Sequence, residues 1–306
     1  MLLPALLNTF AMNLLPILLL SGAGFALGKT LQVEARPLGQ VIFYLFTPIL
    51  IFNLLLNNRL SWEEMVYVAL FAGLISLMLG LTAALLLARL PIPLTTRLGM
   101  ILTAAFGNTG NYGLPLVAFA FGKEALAYAT IYFVTNSLLF NTVGVVVASL
   151  GHLNLRQATW NLLRVPAIHA LALAFLVNHL GVTLPQPLTR SLELAAGAAI
   201  PLMLVLLGLE LQKVTWGNHR HLLLGGVTLR LLLSPLLAIG LNLFFGFEGK
   251  ALQAILTEAS MPAAITTTVL ASEYRLDIST VTAVVFLSTL LSPIPLTLLI
   301  FLLQRL

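Results

Sequence analysis

Two charged side chains stand inside long apolar runs of this sequence, where ionisable groups are costly to bury. Arg230 lies in the run from 221 to 246, and Glu258 lies in the run from 250 to 271. A carboxylate in such surroundings can carry a proton, and an arginine there can balance an anion. The two residues could instead pair with each other inside the protein. The sequence therefore predicts for Glu258 and Arg230 either a coupling or gating role, or a structural ion pair.

A second group of polar residues falls where two apolar runs are interrupted by glycine and proline. The run 97–120 contains GNTGNYGLPL, and the run 250–271 contains TEASMPAA. Both segments are predicted to unwind, because glycine lets the chain leave helical geometry and proline removes a backbone donor. Unwound backbone cannot face lipid, so it must face protein or a wet cavity. A helix that resumes near Pro115 or Pro262 would present unpaired N–H groups and a positive dipole end, which favour an anion.

The side chains around these two interruptions are the candidate substrate-binding groups. Asn108 has both donors and an acceptor, so it can bind a carboxylate or satisfy unwound backbone. Asn136, in the polar cluster of the run 125–150, either lines the pathway or bonds to a neighbouring helix. The predicted substrate-binding set is Asn108, Thr109, Gly110, Asn111, Tyr112, Pro115, Asn136, Ser260, Met261 and Pro262.

Composition identifies the elements that must carry these residues. Of 306 residues, 59% are hydrophobic and 8% are charged, whereas soluble domains carry about 25% charged residues. Such a chain cannot cover a water-soluble surface, which excludes a soluble enzyme, and its apolar content excludes disorder. Ten apolar runs are long enough to span a bilayer, at 9–28, 38–57, 64–88, 97–120, 125–150, 161–180, 190–210, 221–246, 250–271 and 278–303. The predicted fold class is an all-α integral membrane protein with ten transmembrane helices.

The basic residues set orientation rather than a nucleic-acid interface. The net charge of +5 comes from single lysines and arginines between apolar runs, without a clustered basic stripe. They are more frequent after odd-numbered helices, which predicts that those connections are cytoplasmic and that both termini are extracytoplasmic. Cysteine and the nucleotide-binding, hydrolase and zinc motifs are all absent from the sequence. We therefore predict a multi-pass protein of the cell (inner or plasma) membrane, in contact with the lipid bilayer. We predict no nucleic-acid partner, catalytic residue, metal or cofactor, with coupling to H⁺ or Na⁺ left open.

Matching irregularities in the two halves indicate an inverted repeat. Pro48 and Pro201 fall at corresponding positions in mid-run, the two interrupted runs correspond, and a polar cluster follows in the next run of each half. Since each half has an odd number of helices, the second half must be oriented opposite to the first. We predict a first repeat at 1–150, with helices 1–5, and a second at 151–306, with helices 6–10. Two interrupted helices at matching positions indicate a transporter site.

These segments resemble the auxin efflux carrier family, which includes the plant PIN exporters and bacterial malate or malonate permease-like proteins. The resemblance covers the whole chain, and its carrying segments are GNTGNYGLPL at 107–116, ASMPAAITTTVLASEYRLD at 259–277 and VVFLSTLLSPIPLTLL at 284–299. It implies a five-plus-five inverted repeat like that of NhaA-type antiporters and bile-acid symporters. It also implies that broken helices 4 and 9 cross at Pro115 and Pro262 to form the substrate site. The helix-4 asparagine of the family falls on Asn108.

The resemblance further implies a homodimer and an elevator-type mechanism. Helices 1, 2, 6 and 7 would form a scaffold, and helices 3–5 and 8–10 would form the transport unit. We therefore predict a secondary transporter of a small organic anion, an auxin- or malate-like carboxylate. A cation/proton antiporter is the first alternative, but such proteins generally carry acidic residues in helix 5, and the run 125–150 has none. A non-transporting membrane sensor is the second alternative, since fold alone does not determine function.

Overall fold

The regular structure of this chain is helical. The computed structural model describes residues 2–58, 60–149, 165–213 and 220–306. Within these ranges every regular element is a helix, apart from one isolated β-bridge between Gly107 and Ala263. The predicted boundary between the two repeats, at 150 and 151, lies outside the described residues.

The helices are long and apolar, as a membrane protein requires. In chain order, those of the described residues are α1 (Leu3–Leu31), α2 (Ala35–Asn57), α3 (Trp62–Ala88), α4 (Leu94–Ala105), α5 (Thr109–Ala148), α6 (Pro166–His179), α7 (Gln186–Glu210), α8 (Leu222–Phe245), α9 (Gly249–Ala259), α10 (Thr266–Glu273), α11 (Ile278–Leu291) and α12 (Pro293–Leu303). Among them, 6 are long and apolar enough to cross a membrane, and the pair α11 and α12, bent by 47°, would make a seventh. The all-α, multi-pass class is therefore confirmed, while ten crossings remain a prediction.

The two runs that contain glycine and proline are interrupted, as predicted. One interruption separates α4 from α5, and the other separates α9 from α10. Helix α5 also bends at Gly122, whose φ of 82° lies in the left-handed region. Glycine takes up such a φ without the steric penalty of a β-carbon. Gly122 thus separates the predicted fourth and fifth helices.

Prolines in these helices are accommodated by widened turns. The π-helical turns Phe10–Leu14, Ile42–Phe46, Thr109–Gly113 and Leu229–Leu233 stand directly ahead of Pro16, Pro48, Pro115 and Pro235. Proline has no N–H to donate and its ring crowds the preceding turn, and a wider turn relieves both problems. The helices therefore continue through these prolines. Pro201 likewise lies inside α7.

Helices α1 and α7 approach each other closely at two glycines. A β-carbon on Gly208 would collide with the main-chain oxygen of Ser21 and the main-chain nitrogen of Phe25. A β-carbon on Gly24 would collide with the main-chain oxygen of Val205. Small residues allow helix backbones to pack tightly in membranes, where lipid removes the usual hydrophobic advantage of helix association. The sequence of α1 and α7 thus favours a fixed helix pair.

We expect Gly208→Ala to lower the free energy of unfolding by about 1–3 kcal/mol, because the facing main-chain atoms cannot move aside. Gly197 in the same helix is the matched control, since a β-carbon there would meet no atom within 4 Å. Gly197→Ala should be neutral or stabilising by up to about 1 kcal/mol. Thermal unfolding of the purified variants in detergent measures the difference. Equal melting temperatures for the two variants would contradict the close approach of α1 and α7.

Asp277 ties the starts of α4 and α11 together. Its carboxylate accepts hydrogen bonds from Thr96 Oγ1 at 2.9 Å, Ser279 Oγ at 2.8 Å, Thr280 Oγ1 at 2.7 Å and the Thr280 main-chain N–H at 3.1 Å. Partial burial raises the pKa of Asp277, but these hydrogen bonds outweigh burial and hold the pKa below its ordinary value. A charged Asp277 therefore caps α11 and holds it beside α4.

Candidate functional site

The two interruptions meet inside the protein, and we call residues 106–108 and 260–265 the crossover. Two main-chain hydrogen bonds join them, from Asn108 N–H to Pro262 O at 2.8 Å and from Ala264 N–H to Phe106 O at 2.9 Å. They form a short antiparallel bridge centred on Gly107 and Ala263. Each interruption thus satisfies part of the backbone that the other has freed, as buried main chain requires.

The position of the crossing differs from the expectation at one of the two prolines. Pro262 lies in the crossover, whereas Pro115 lies within α5, beyond the turn Thr109–Gly113. The prediction that the helices cross at Pro115 is therefore wrong, and they cross at Gly107 instead. The physical reason is that the widened turn Thr109–Gly113 accommodates Pro115, so the helix continues through this proline and is broken before Thr109 instead.

Side chains from the following helices hold both interruptions in place. Asn136 Nδ2 donates to Gly107 O at 3.2 Å and to Thr109 Oγ1 at 3.1 Å. Ser288 Oγ in α11 accepts a hydrogen bond from Ala263 N–H at 3.1 Å. Of the two roles that the sequence left open for Asn136, the structure supports an interhelical hydrogen bond.

Asn108 carries an unused donor into this interior. Its side chain is 6% exposed, and its Nδ2 has no hydrogen-bond acceptor among the described residues. The first amides of a helix have no intrahelical acceptors, and they form the positive end of its dipole. Gly110 and Asn111, at this start of α5, are partly exposed. The arrangement offers donors to a ligand next to Asn108.

Three other predicted site residues make hydrogen bonds within the protein. Tyr112 is buried, and its hydroxyl accepts a hydrogen bond from Ser292 Oγ at 3.1 Å. The Ser260 hydroxyl, just past the end of α9, donates to Leu256 O in the last turn of that helix at 2.6 Å. Met261 contributes its main-chain oxygen to Arg230. These residues lie at the site, but the polar atoms named here already form hydrogen bonds within the protein.

Arg230 binds the ends of two broken helices at once. Its side chain is 2% exposed, and its guanidinium donates to Met261 O at 2.7 Å, Ala104 O at 3.2 Å and Ala259 O at 3.0 Å. Ala104 and Ala259 lie in the last turns of α4 and α9, where helix carbonyls lack intrahelical donors. Arg230 therefore satisfies carbonyls that would otherwise be buried without partners.

Glu258 is the buried carboxylate of the site. It is 0% exposed, and neither of its oxygens accepts a hydrogen bond from a described residue. A β-carbon on Gly113 would collide with this carboxylate, so the two are in close contact. Arg230 and Tyr132 interact with it electrostatically. No hydrogen bond joins Glu258 to Arg230 among the described residues, but the two charges interact electrostatically. A structural pairing with Arg230 and a coupling or gating role therefore both stay predictions.

Sequence reasoning missed the main-chain groups of the site. Every residue has a main-chain carbonyl, so the sequence does not show that those of Ala104 and Ala259 bind Arg230. Ser234, which also donates to Ala259 O, was missed although it lies close to Arg230 on α8. For Gly107 the only sequence signal was its place in the glycine-rich segment.

A cavity lies away from the crossover, between the ends of α2 and α6 and the start of α3. Its volume is about 200 Å³. It is lined by Leu55, Asn58, Leu60, Met65, Leu171, Phe175, Asn178 and His179. None of the predicted substrate-binding residues lines it, so we do not assign it to the crossover site.

Comparison with known proteins identifies the family of this chain. A model of the family described as membrane transport proteins matches residues 9–152 and 150–300. The chain belongs to this family, the auxin efflux carrier family. It is 31% identical over 301 residues to an uncharacterized transporter of Methanothermobacter thermautotrophicus, covering 94% of this chain and 95% of the relative. An uncharacterized transporter of Methanocaldococcus jannaschii is 27% identical over 274 residues, covering 85% and 87% respectively. The family membership predicted from the sequence is confirmed, and the protein is a membrane transporter.

Proposed function

We propose that this auxin efflux carrier family member is a secondary transporter of a small organic anion, a carboxylate of the auxin or malate type. The observation that carries the proposal is the unused amide donor of Asn108 at the start of α5. A buried donor without an acceptor costs free energy, and an anion bound there would remove the cost. The positive end of the α5 dipole acts in the same direction. Thr109, Gly110 and Asn111 adjoin this position and complete the proposed site.

Side-chain hydrogen bonds at the crossover support the five-plus-five inverted repeat. Asn136, in the predicted fifth helix, bonds to the interruption of the fourth, and Ser288, in the predicted tenth, bonds to that of the ninth. Equivalent contacts in equivalent helices are expected of an inverted repeat. We infer the repeats at 1–150 and 151–306, ten crossings, and both termini on the extracytoplasmic side of the cell membrane. In this assignment α9 and α10 together make the ninth crossing.

Contacts among the helices support an elevator-type mechanism. Within the proposed scaffold, α7 contacts α1 and α2, and α2 contacts α6. Asn178 Nδ2 of α6 donates to Leu55 O of α2 at 2.8 Å. Helix α7 also contacts the turn Thr109–Gly113 at the proposed anion site. The substrate would therefore bind where the scaffold meets the transport unit, and sliding of one group past the other would change the side of access. We assign dimer formation to the scaffold, since the transport unit must remain free to move.

We expect Asn108→Ala to weaken carboxylate binding by about 1–3 kcal/mol, or about 5- to 150-fold in Kd, because the variant lacks the unused donor. Binding is measured by thermal-shift titration with mono- and dicarboxylates, and transport by uptake of labelled substrates into proteoliposomes. A wild-type protein that neither binds nor transports any tested carboxylate would count against the proposal. Exchange of cations for protons in the same vesicles would favour an antiporter.

Asn141→Ala is the matched control for this experiment. Among the described residues, Asn141 Nδ2 donates one hydrogen bond, to Ser137 O at 2.8 Å one turn earlier in α5. The control removes the same chemical group from the same helix but away from the crossover. Its carboxylate Kd should therefore equal that of the wild type. An equal weakening in both variants would assign the effect to helix stability and not to ligand contact.

A further inference from the structure

The surroundings of the Arg230 guanidinium have the chemistry of a cation site. Three main-chain carbonyl oxygens from α4, α9 and the crossover converge on this one positive group, at 2.7 to 3.2 Å. The buried carboxylate of Glu258 interacts with it electrostatically. Carbonyl and carboxylate oxygens are the ligands that hard metal cations prefer. In transporters built from broken helices, the carbonyl ends of half-helices coordinate the coupling cation.

The guanidinium is buried and packs closely against Gly107. A β-carbon on Gly107 would collide with its nitrogen and carbon atoms. Ser234 donates a hydrogen bond to Ala259 O, the same oxygen that Arg230 binds. The side chain enters from the π-helical turn Leu229–Leu233 of α8. Negative helix ends and a carboxylate thus surround a positive charge that is covalently attached to the protein.

We propose that Arg230 is a tethered cation that takes the place of an exchangeable coupling ion at the crossover. Its charge offsets Glu258 and the negative dipole ends of α4 and α9 throughout the transport cycle. The crossover therefore needs no sodium ion to hold its broken helices together. Arg230 is a positioning residue, and its removal leaves an oxygen-lined site that a small free cation can fill. The statement on coupling rests on the proposed transport function, but the site itself does not.

Chemical rescue tests the proposal without a transport assay. Purified Arg230→Ala is heated in choline chloride, and then with millimolar guanidinium chloride, NaCl or KCl replacing choline at constant ionic strength. Guanidinium, and to a lesser degree Na⁺, should raise the melting temperature of the variant by about 2–4 °C. The wild type should not respond, because its site is filled. Arg190→Ala, which removes an exposed arginine at the start of α7, should behave like the wild type.

Two results would overturn the proposal. One is an equal response of Arg230→Ala, Arg190→Ala and the wild type to every cation. The other comes from the wild type alone, which keeps the test decisive if Arg230→Ala does not fold. Wild-type stability and anion transport should be the same in Na⁺ and in choline, and a requirement for Na⁺ in either would contradict the tethered cation. Absence of anion transport under all conditions would refute the proposed function and leave the thermal result standing.

Discussion

Gly107→Ala should lower the free energy of unfolding by about 3 kcal/mol or more and abolish transport. A β-carbon at this position would occupy space that the Arg230 guanidinium fills. If the guanidinium moves, it loses its hydrogen bonds to Met261, Ala104 and Ala259 and remains buried without acceptors. Thermal unfolding in detergent and uptake into proteoliposomes measure the two effects.

A double-mutant cycle with Arg230→Ala distinguishes this collision from a general loss of backbone freedom. Without the guanidinium, the added methyl group has room, so Gly107→Ala should cost far less in the Arg230→Ala background. The coupling energy between the two positions should reach up to about 3 kcal/mol. Additive destabilisation would show that Gly107 is needed for its own conformation and that the contact with Arg230 is unimportant.

Glu258→Gln should remove the pH dependence of transport. The carboxylate is fully buried, and its neighbours from the helices packed against it include Arg230, Tyr132 and Gly113. Glutamine has nearly the same shape but cannot take up or release a proton, so the variant should transport at a rate that no longer changes with pH. Uptake between acidic and alkaline buffers, with the pH equal on both sides of the membrane, measures the profile.

A purely structural role of Glu258 would give a different pattern. In that case Glu258→Gln would lower the melting temperature, because Arg230 would lose a compensating charge, but the shape of the pH profile would persist. An unchanged pH profile therefore eliminates proton coupling through Glu258. Glu248→Gln, at the exposed end of α9, is the matched control and should keep both the profile and the melting temperature.

The positions of the interruptions were predictable because they depend on local chemistry. Glycine and proline clusters mark both, and Gly122 falls in the predicted boundary between the fourth and fifth helices. The place of the crossing within the first interruption was not predictable. It depends on the hydrogen bonds from Asn108 to Pro262 and from Ala264 to Phe106, which join residues far apart in the chain. Local rules placed the break between Asn108 and Pro115, and the family resemblance placed the crossing at Pro115. Local rules could not refine this position, because they do not include partners from other helices.

The burial of Arg230 and Glu258 was likewise predictable, but their partners were not. An ionisable residue in an apolar run must find compensation, and the nearest opposite charge was the natural candidate. The structure instead gives Arg230 main-chain carbonyls, which any residue type can supply. Asn136 illustrates the same difficulty, because its partner Gly107 accepts through an oxygen that carries no mark in the sequence.

The two hydrogen bonds that join the interruptions to each other directly are made by peptide groups. A substitution at Asn108 or Ala264 changes the side chain but leaves its peptide N–H in place, unless the new residue is proline. If Asn108 binds the anion as proposed, substitutions of its side chain will change anion binding and leave the main-chain hydrogen bond in place. Related transporters can therefore differ in the side chains around the crossover and keep the same main-chain hydrogen bonds within it.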